Sequence, residues 1–274
     1  MGLRLIYITN RPDVAEVAER NGVAWIFVDL EINGKEKRQG HLNTVISRHT
    51  LEDVSRVKKV LHHSELLVRV NPIYEGSARE IDEVIGRGAD IVMLPYFKTT
   101  AEVERFVALV DKRAKVCLLL ETAEAVEVID DILAIDGIDF IHIGLNDLHL
   151  SYGKTFMFEL LIDGTVERIA DRIKAAGIPY GFGGIAQLGQ GALPAEMIVA
   201  EHHRLGSEMA ILSRAFCNTQ TATDITDVEL IFREGVEKLR AYEKGLTTQR
   251  FTFFQENHKV MGGKVREIVA GIAK

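Results

Sequence analysis

Two cysteines, one tryptophan and five prolines in 274 residues leave little for a covalent or proline-rich framework. Cys117 falls inside an apolar run and Cys217 just after another, so reduced, packed thiols are expected rather than a bridge or a thiolate metal site. No apolar run approaches the roughly 20 residues that a membrane-spanning helix needs. The first ten residues lack the apolar region and small-residue cleavage site of a secretory leader, and Ile6 stands where a myristoylation signal needs Ser or Thr. Positive charge is in deficit as well, with 33 Lys and Arg against 40 Asp and Glu and a formal charge of −7. That balance argues against nucleic acid and anionic membranes as partners. The expectation is a cytoplasmic protein acting on a small molecule.

What is present is enough apolar material, 47% of the chain, to fill one large core. Short β-branched runs alternate with longer helical patterns about eight times. The expected strands are Leu3–Thr9, Trp25–Glu31, Leu66–Asn71, Ile91–Pro95, Lys115–Glu121, Phe140–Gly144, Pro179–Phe182 and Met209–Phe216. Helical spacing marks Asp13–Asn21, Leu51–His62, Ser77–Arg87, Thr100–Lys112, Ala123–Ile135, Gly164–Ala176, Pro194–Arg204 and Asp227–Lys244. Gly22, Gly88, Gly137 and Gly177 each follow a helical run, where a left-handed cap is needed. Apolar strands of this kind are buried on both faces, and eight repeats point to an α/β (β/α)8 barrel rather than an open sheet. The expected organisation is a barrel over residues 1–248 and a C-terminal helical arm over 249–274.

Barrel chemistry belongs at the carboxyl ends of the strands, and the polar residues fall there. The second strand ends in Asp29 and Glu31, the third carries Arg69 and Asn71, the fifth ends at Glu121, and the sixth runs into Asn146 and Asp147. Parallel neighbours lie about 4.8 Å apart, so Glu121 and Asp147 can share one divalent cation. The alternative is that each caps the following helix. Arg69 interrupts an apolar strand and must face anions, either substrate oxygens or a structural partner such as Glu31.

Five segments, Val28 to Glu31, Val68 to Pro72, Gly88 to Pro95, Leu120 to Val126 and Gly137 to Leu148, resemble in order and spacing the HpcH/HpaI aldolase and citrate-lyase β-subunit family. The resemblance spans roughly residues 20 to 216. It implies a (β/α)8 barrel of the phosphoenolpyruvate/pyruvate type, often with its last helix exchanged between subunits. It also implies a Mg²⁺ or Mn²⁺ ion that binds a 2-oxo acid and stabilises its enolate while a carbon–carbon bond breaks or forms. In that frame Glu121 and Asp147 hold the metal, Arg69 stabilises the enolate oxygen, and backbone amides at Gly144, Leu145 and Asn146 hold the substrate carboxylate. Asp29 and Glu31 would act through metal-bound water.

The resemblance fails at proton transfer. The aldolase branch places a histidine directly after the glutamate of the second strand, and here that residue is Ile32; an aspartate of the same machinery is replaced by Gly86. His41, and with it His49, are the candidates to replace the missing base, both on a long polar loop after the second strand. His49 lies where the next helix should be capped. Lys35 and Arg38 on that loop are candidates for recognising an anionic group on the substrate's far half, or form a solvated charge cluster. Phe251, Phe253 and Phe254 are too apolar for water, so the arm is expected on a neighbouring subunit of a homo-oligomer (dimer, trimer or hexamer), where His258 or Glu256 would come within reach of the partner's site, the alternative being that it packs back onto its own barrel. The expected function is a metal-dependent carbon–carbon lyase, a class II pyruvate-type aldolase, acting on a 2-oxo acid and an aldehyde. Citrate-lyase-like cleavage of a hydroxyacyl-CoA thioester and a catalytically idle, ligand-binding barrel are the alternatives.

Overall fold

The computed structural model describes residues 2–34 and 47–272. Eight parallel strands close into a barrel in sequence order, with the last paired to the first. The described elements are β1 (Arg4–Ile8), α1 (Pro12–Arg20), β2 (Trp25–Asp29), α2 (Leu51–Lys58), β3 (Glu65–Arg69), α3 (Ser77–Gly86), β4 (Ile91–Leu94), α4 (Thr100–Val110), β5 (Lys115–Leu120) and α5 (Ala123–Glu127). They continue with α6 (Ile129–Leu133), β6 (Phe140–Ile143), α7 (Leu145–Ser151), α8 (Glu159–Ile162), α9 (Thr165–Ala175), β7 (Tyr180–Ile185), α10 (Ala195–Leu205), β8 (Met209–Leu212), α11 (Ile225–Leu246) and α12 (Phe251–Ile272). The expected (β/α)8 architecture with a C-terminal helical arm is the one observed. None of the described helices is long and apolar enough to cross a membrane.

Strand period and barrel closure together decide what faces where. Alternate residues, among them Ile6, Trp25, Phe27, Leu67, Cys117 and Leu119, fill the lumen as one buried cluster. Their neighbours, such as Leu66, Val68, Leu118 and Leu120, pack outward against the helices. Cys117 and Cys217 are both buried and free, and burial pushes the Cys117 thiol up. Helix entry is fixed by capping boxes at Thr50 with Asp53 and at Thr99 with Glu102, each satisfying amides that the first turn leaves open. Gly22 and Gly177 carry φ of +86° and +72°, as stops in the left-handed region require.

Three departures from the sequence reading have local causes. Ala123–Ile135 is not one helix, because Val128 (φ −108°, ψ 21°) breaks it into α5 and α6. β8 ends at Leu212 rather than Phe216: Ser213 N–H still bonds Ile185 O, and Phe216 N–H then turns back onto Ser213 O. β7 carries a register shift between Gly181 and Gly184, and a Cβ at Gly181 would collide with the Met209 carbonyl of β8.

α12, the C-terminal arm, buries Phe254, Met261 and Val265 on its own barrel, beside α10 and α8. Phe254 stacks on His203 at 5.1 Å, Asn257 Nδ2 donates to Met197 O at 3.1 Å, and His258 pairs with the wholly buried Glu201 at 3.0 Å. His258 is thus engaged against α10 of its own barrel. Phe251 at the start of the arm stays 69% exposed.

Candidate active site

β5 and β6 pair in parallel with Leu120 opposite Ile143, so the next residues, Glu121 and Gly144, leave the barrel side by side. Gly144 caps α7, whose first turn carries Asp147. Glu121 is 3% exposed and Asp147 5%, values low enough that an unneutralised charge at either would be costly. The Glu121 carboxylate is held from two sides. Its Oε1 accepts the Tyr96 N–H at 3.0 Å, and its Oε2 lies where a Cβ on Gly144 would come within 2.8 Å. Only glycine lets α7 approach Glu121 this closely. Tyr96 meets the carboxylate from a left-handed backbone, φ 50°, rare for an aromatic residue. Tyr96, Asp147, Leu150 and Ser151 line a cleft of about 190 Å³ at this edge.

Across the rim Arg69 ends β3 with its guanidinium over the Phe27 ring, 5.4 Å from the centroid. Asp29 takes it in a fork, Nε to Oδ1 and Nη2 to Oδ2, both at 2.8 Å. Glu31 Oε2 stands 3.4 Å from Nε. Burial alone would push the guanidinium down, but the charges of Asp29 and Glu31, with a further contribution from Glu121, outweigh it and hold Arg69 above its ordinary range. Arg69 is therefore a fixed cation. His142, on β6, donates from Nε2 to the Gly183 carbonyl at 3.1 Å. Since a carbonyl only accepts, Nε2 carries the proton. Burial pushes this imidazole down to about 4, opposed by the Gly183 bond and assisted to a lesser extent by the charge of Arg69.

Most of the sequence expectations meet on this one rim. Glu121, Asp147, Arg69, Asp29 and Glu31 all sit at carboxyl ends of strands or just beyond them. Gly144 is present but its expected part is corrected: its amide donates to Leu120 O at 2.9 Å, so it serves by lacking a side chain rather than by offering an N–H. Leu145 is buried with its side chain against Gly183, and Asn146 is exposed. Asp29 and Glu31 both engage Arg69, the structural partnership that was one of the two alternatives for that residue. His49 Nδ1 accepts the Asp29 N–H at 3.0 Å, so the nitrogen that would take up a proton is occupied and a base role is disfavoured. Arg38 and His41 lie outside the described residues.

The donor set suits a hard divalent cation. Four carboxylates at least 95% buried share the rim with the Arg69 guanidinium, and carboxylate oxygens are the ligands such an ion takes. Among the described residues no three His, Cys, Asp or Glu converge on one point. Glu121 and Asp147 are then the pair that would hold the ion, leaving positions for water and a chelating substrate.

The HpcH/HpaI aldolase/citrate lyase family model matches residues 5–182. The chain belongs to that family. A curated relative, a 4-hydroxy-2-oxovalerate aldolase of Novosphingobium aromaticivorans, is 25% identical over 200 residues, covering 62% of this chain and 71% of the relative. Among solved structures, an HpcH/HpaI aldolase from Desulfitobacterium hafniense DCB-2 superposes with a TM-score of 0.62 at 16% identity, over 83% of this chain and 93% of its own. The citrate synthase SbnG gives 0.61 at 18% identity, over 84% and 94%. At those identities the structures show the fold alone; the family and the aldolase relative support a lyase.

Sequence reasoning missed Tyr96 and the bond from His49. Nothing in Leu94-Pro95-Tyr96 announces a left-handed aromatic residue, because glycine or asparagine is the usual signal. His142 lay inside a quoted motif, and its period-two placement with Leu119 could have put it in the lumen.

Proposed function

We propose that the chain is a Mg²⁺- or Mn²⁺-dependent carbon–carbon lyase of the class II pyruvate aldolase type, acting through the enolate of a 2-oxo acid and releasing or taking up an aldehyde. The observation that carries the reading is the buried rim on which Glu121 and Asp147 share an edge with the permanently charged Arg69.

Bound at Glu121 and Asp147, the ion would supply Lewis-acid polarisation of the 2-oxo group. Arg69 does the complementary work. A guanidinium has five N–H donors and Asp29 accepts two, so others remain to meet an oxygen that gains negative charge as the bond breaks. Asp29 and Glu31 keep the guanidinium aimed, which spares reorganisation at the moment of reaction. Amides at Leu145 and Asn146 are the proposed seat of the substrate carboxylate, and the Tyr96–Leu150 cleft that of the group beyond it. A water or His41 moves the proton, since the residue after Glu31 is the exposed Ile32, which carries none.

Exchange of the pyruvate methyl hydrogens for deuterium, followed by NMR with Mn²⁺, tests the reading without the aldehyde. Exchange is expected in the wild type and is lost in Glu121→Ala and Asp147→Ala, both folded by circular dichroism. Undiminished exchange in both variants would refute the site, and none in a Mn²⁺-binding wild type would favour a non-catalytic barrel.

A further inference from the structure

Five consecutive amides at the carboxyl end of β2 have named acceptors. Asp29 N–H donates to His49 Nδ1 at 3.0 Å, Leu30 N–H to Arg69 O at 2.9 Å, and Glu31 N–H to Asp29 Oδ1 at 3.2 Å. Ile32 and Asn33 N–H both donate to Asn71 Oδ1, each at 2.9 Å. Strand pairing supplies just the Leu30 bond; side chains supply the other four. A chain leaving a barrel ordinarily turns its amides to water and loses strand geometry.

Geometry explains why this strand end is braced. Asp29 and Glu31 are two residues apart, so both reach Arg69 only while the backbone between them stays extended and one face points inward. The ladder to β3 stops at Asp29 opposite Arg69. Beyond that point the acceptors of His49 and Asn71 take over. Asn71, 7% exposed, is itself fixed by Glu80, whose Oε1 receives Asn71 Nδ2 at 2.6 Å and its N–H at 3.2 Å.

We propose that His49 and Asn71 are positioning residues of the candidate centre, holding the backbone from Asp29 to Asn33 so that both carboxylates face Arg69. Neither touches the reacting atoms. His49 acts as an acceptor at Nδ1, which requires a bare nitrogen there and keeps the proton of the neutral ring on Nε2. An asparagine places its Oδ1 where the imidazole has Nδ1, so it retains the acceptor and discards the titratable ring. A leucine discards both. The role in turnover rests on the lyase reading; the brace itself does not.

The test uses the full chain as His49→Asn, His49→Leu and Asn71→Ala. Backbone amide exchange of the 29–33 segment is read by mass spectrometry without substrate, and kcat and KM by Mn²⁺-dependent pyruvate enolisation. In His49→Leu, exchange of the segment is expected to quicken about tenfold, the equivalent of one hydrogen bond. Its kcat is expected to fall by about 10- to 100-fold, as for other residues that orient a centre from behind, with KM little changed. Asn71→Ala should behave alike, and His49→Asn should restore both slow exchange and most of kcat. Slow exchange retained in His49→Leu and Asn71→Ala would overturn the brace. A kcat in His49→Asn as low as in His49→Leu would overturn the positioning role and make the ring itself a proton carrier. If the wild type enolises nothing, the lyase reading fails while the exchange measurement still decides the brace.

Discussion

Replacing Arg69 with methionine should expose how much the rim depends on one guanidinium. The residue's side chain is 13% exposed, and its partners Asp29 and Glu31 are 2% and 1% exposed, so solvent does little to screen the group. Methionine keeps an unbranched stem against Phe27, which limits the packing change. What remains is two buried carboxylates without their cation, a loss of about 3–5 kcal/mol by analogy with broken buried pairs. At about 2–4 °C per kcal/mol for a chain of this class, Tm should fall by about 6 °C or more near pH 8. Acidification should shrink the deficit. A stranded carboxylate titrates higher in the folded chain than in the unfolded one, so the folded form takes up protons first and gains stability as pH falls. Adding Asp29→Asn to Arg69→Met should recover part of the loss, because one buried charge that has lost its guanidinium is gone. Urea and thermal unfolding at about pH 8 and about pH 5.5 make the measurement. A deficit under about 1 kcal/mol near pH 8, or one that grows on acidification, would refute the argument.

Gly144→Ala would put a methyl group 2.8 Å from Glu121 Oε2 and 2.9 Å from its Cβ. The strain should cost about 1–3 kcal/mol and weaken Mn²⁺ binding by calorimetry; a variant equal to wild type in both would show that the approach of α7 is not tight. Acid sensitivity is the third expectation. Burial pushes His142 down to about 4 and His202 to about 3, so between about pH 6.5 and 4 the unfolded chain binds protons that the folded one refuses. Stability should fall with falling pH across that window by roughly 2–3 kcal/mol per unit for the two together, and His202→Asn should reduce the slope by about half; an unchanged slope would exclude His202 as a source.

The barrel was legible because its signal is repeated. Eight apolar runs with helical stretches between them leave few other arrangements, and the strand ends named the rim residues Glu121, Arg69 and Asp29 without coordinates. Short elements were not legible. α7 and α8 occupy Leu145–Ser151 and Glu159–Ile162, stretches too brief for a helical period to declare itself. Partner choice was also hidden. Sequence offered Glu31 for Arg69, but β2 and β3 register sets Asp29 directly opposite, and that alignment decides the fork. The arm's contacts were hidden in the same way: three phenylalanines announce burial without saying against what, and Phe254 is seen to stack on His203 of α10.

The seam between β7 and β8 limits how this enzyme family member can be remodelled. Because the staves form a hoop, extra width at Gly181 has no free edge to escape through and would be passed to every other joint, including the one that sets Glu121 beside Gly144. Engineers seeking room for a bulkier substrate would do better to vary the loops above the hoop, such as the Tyr96 turn, than to insert bulk at Gly181.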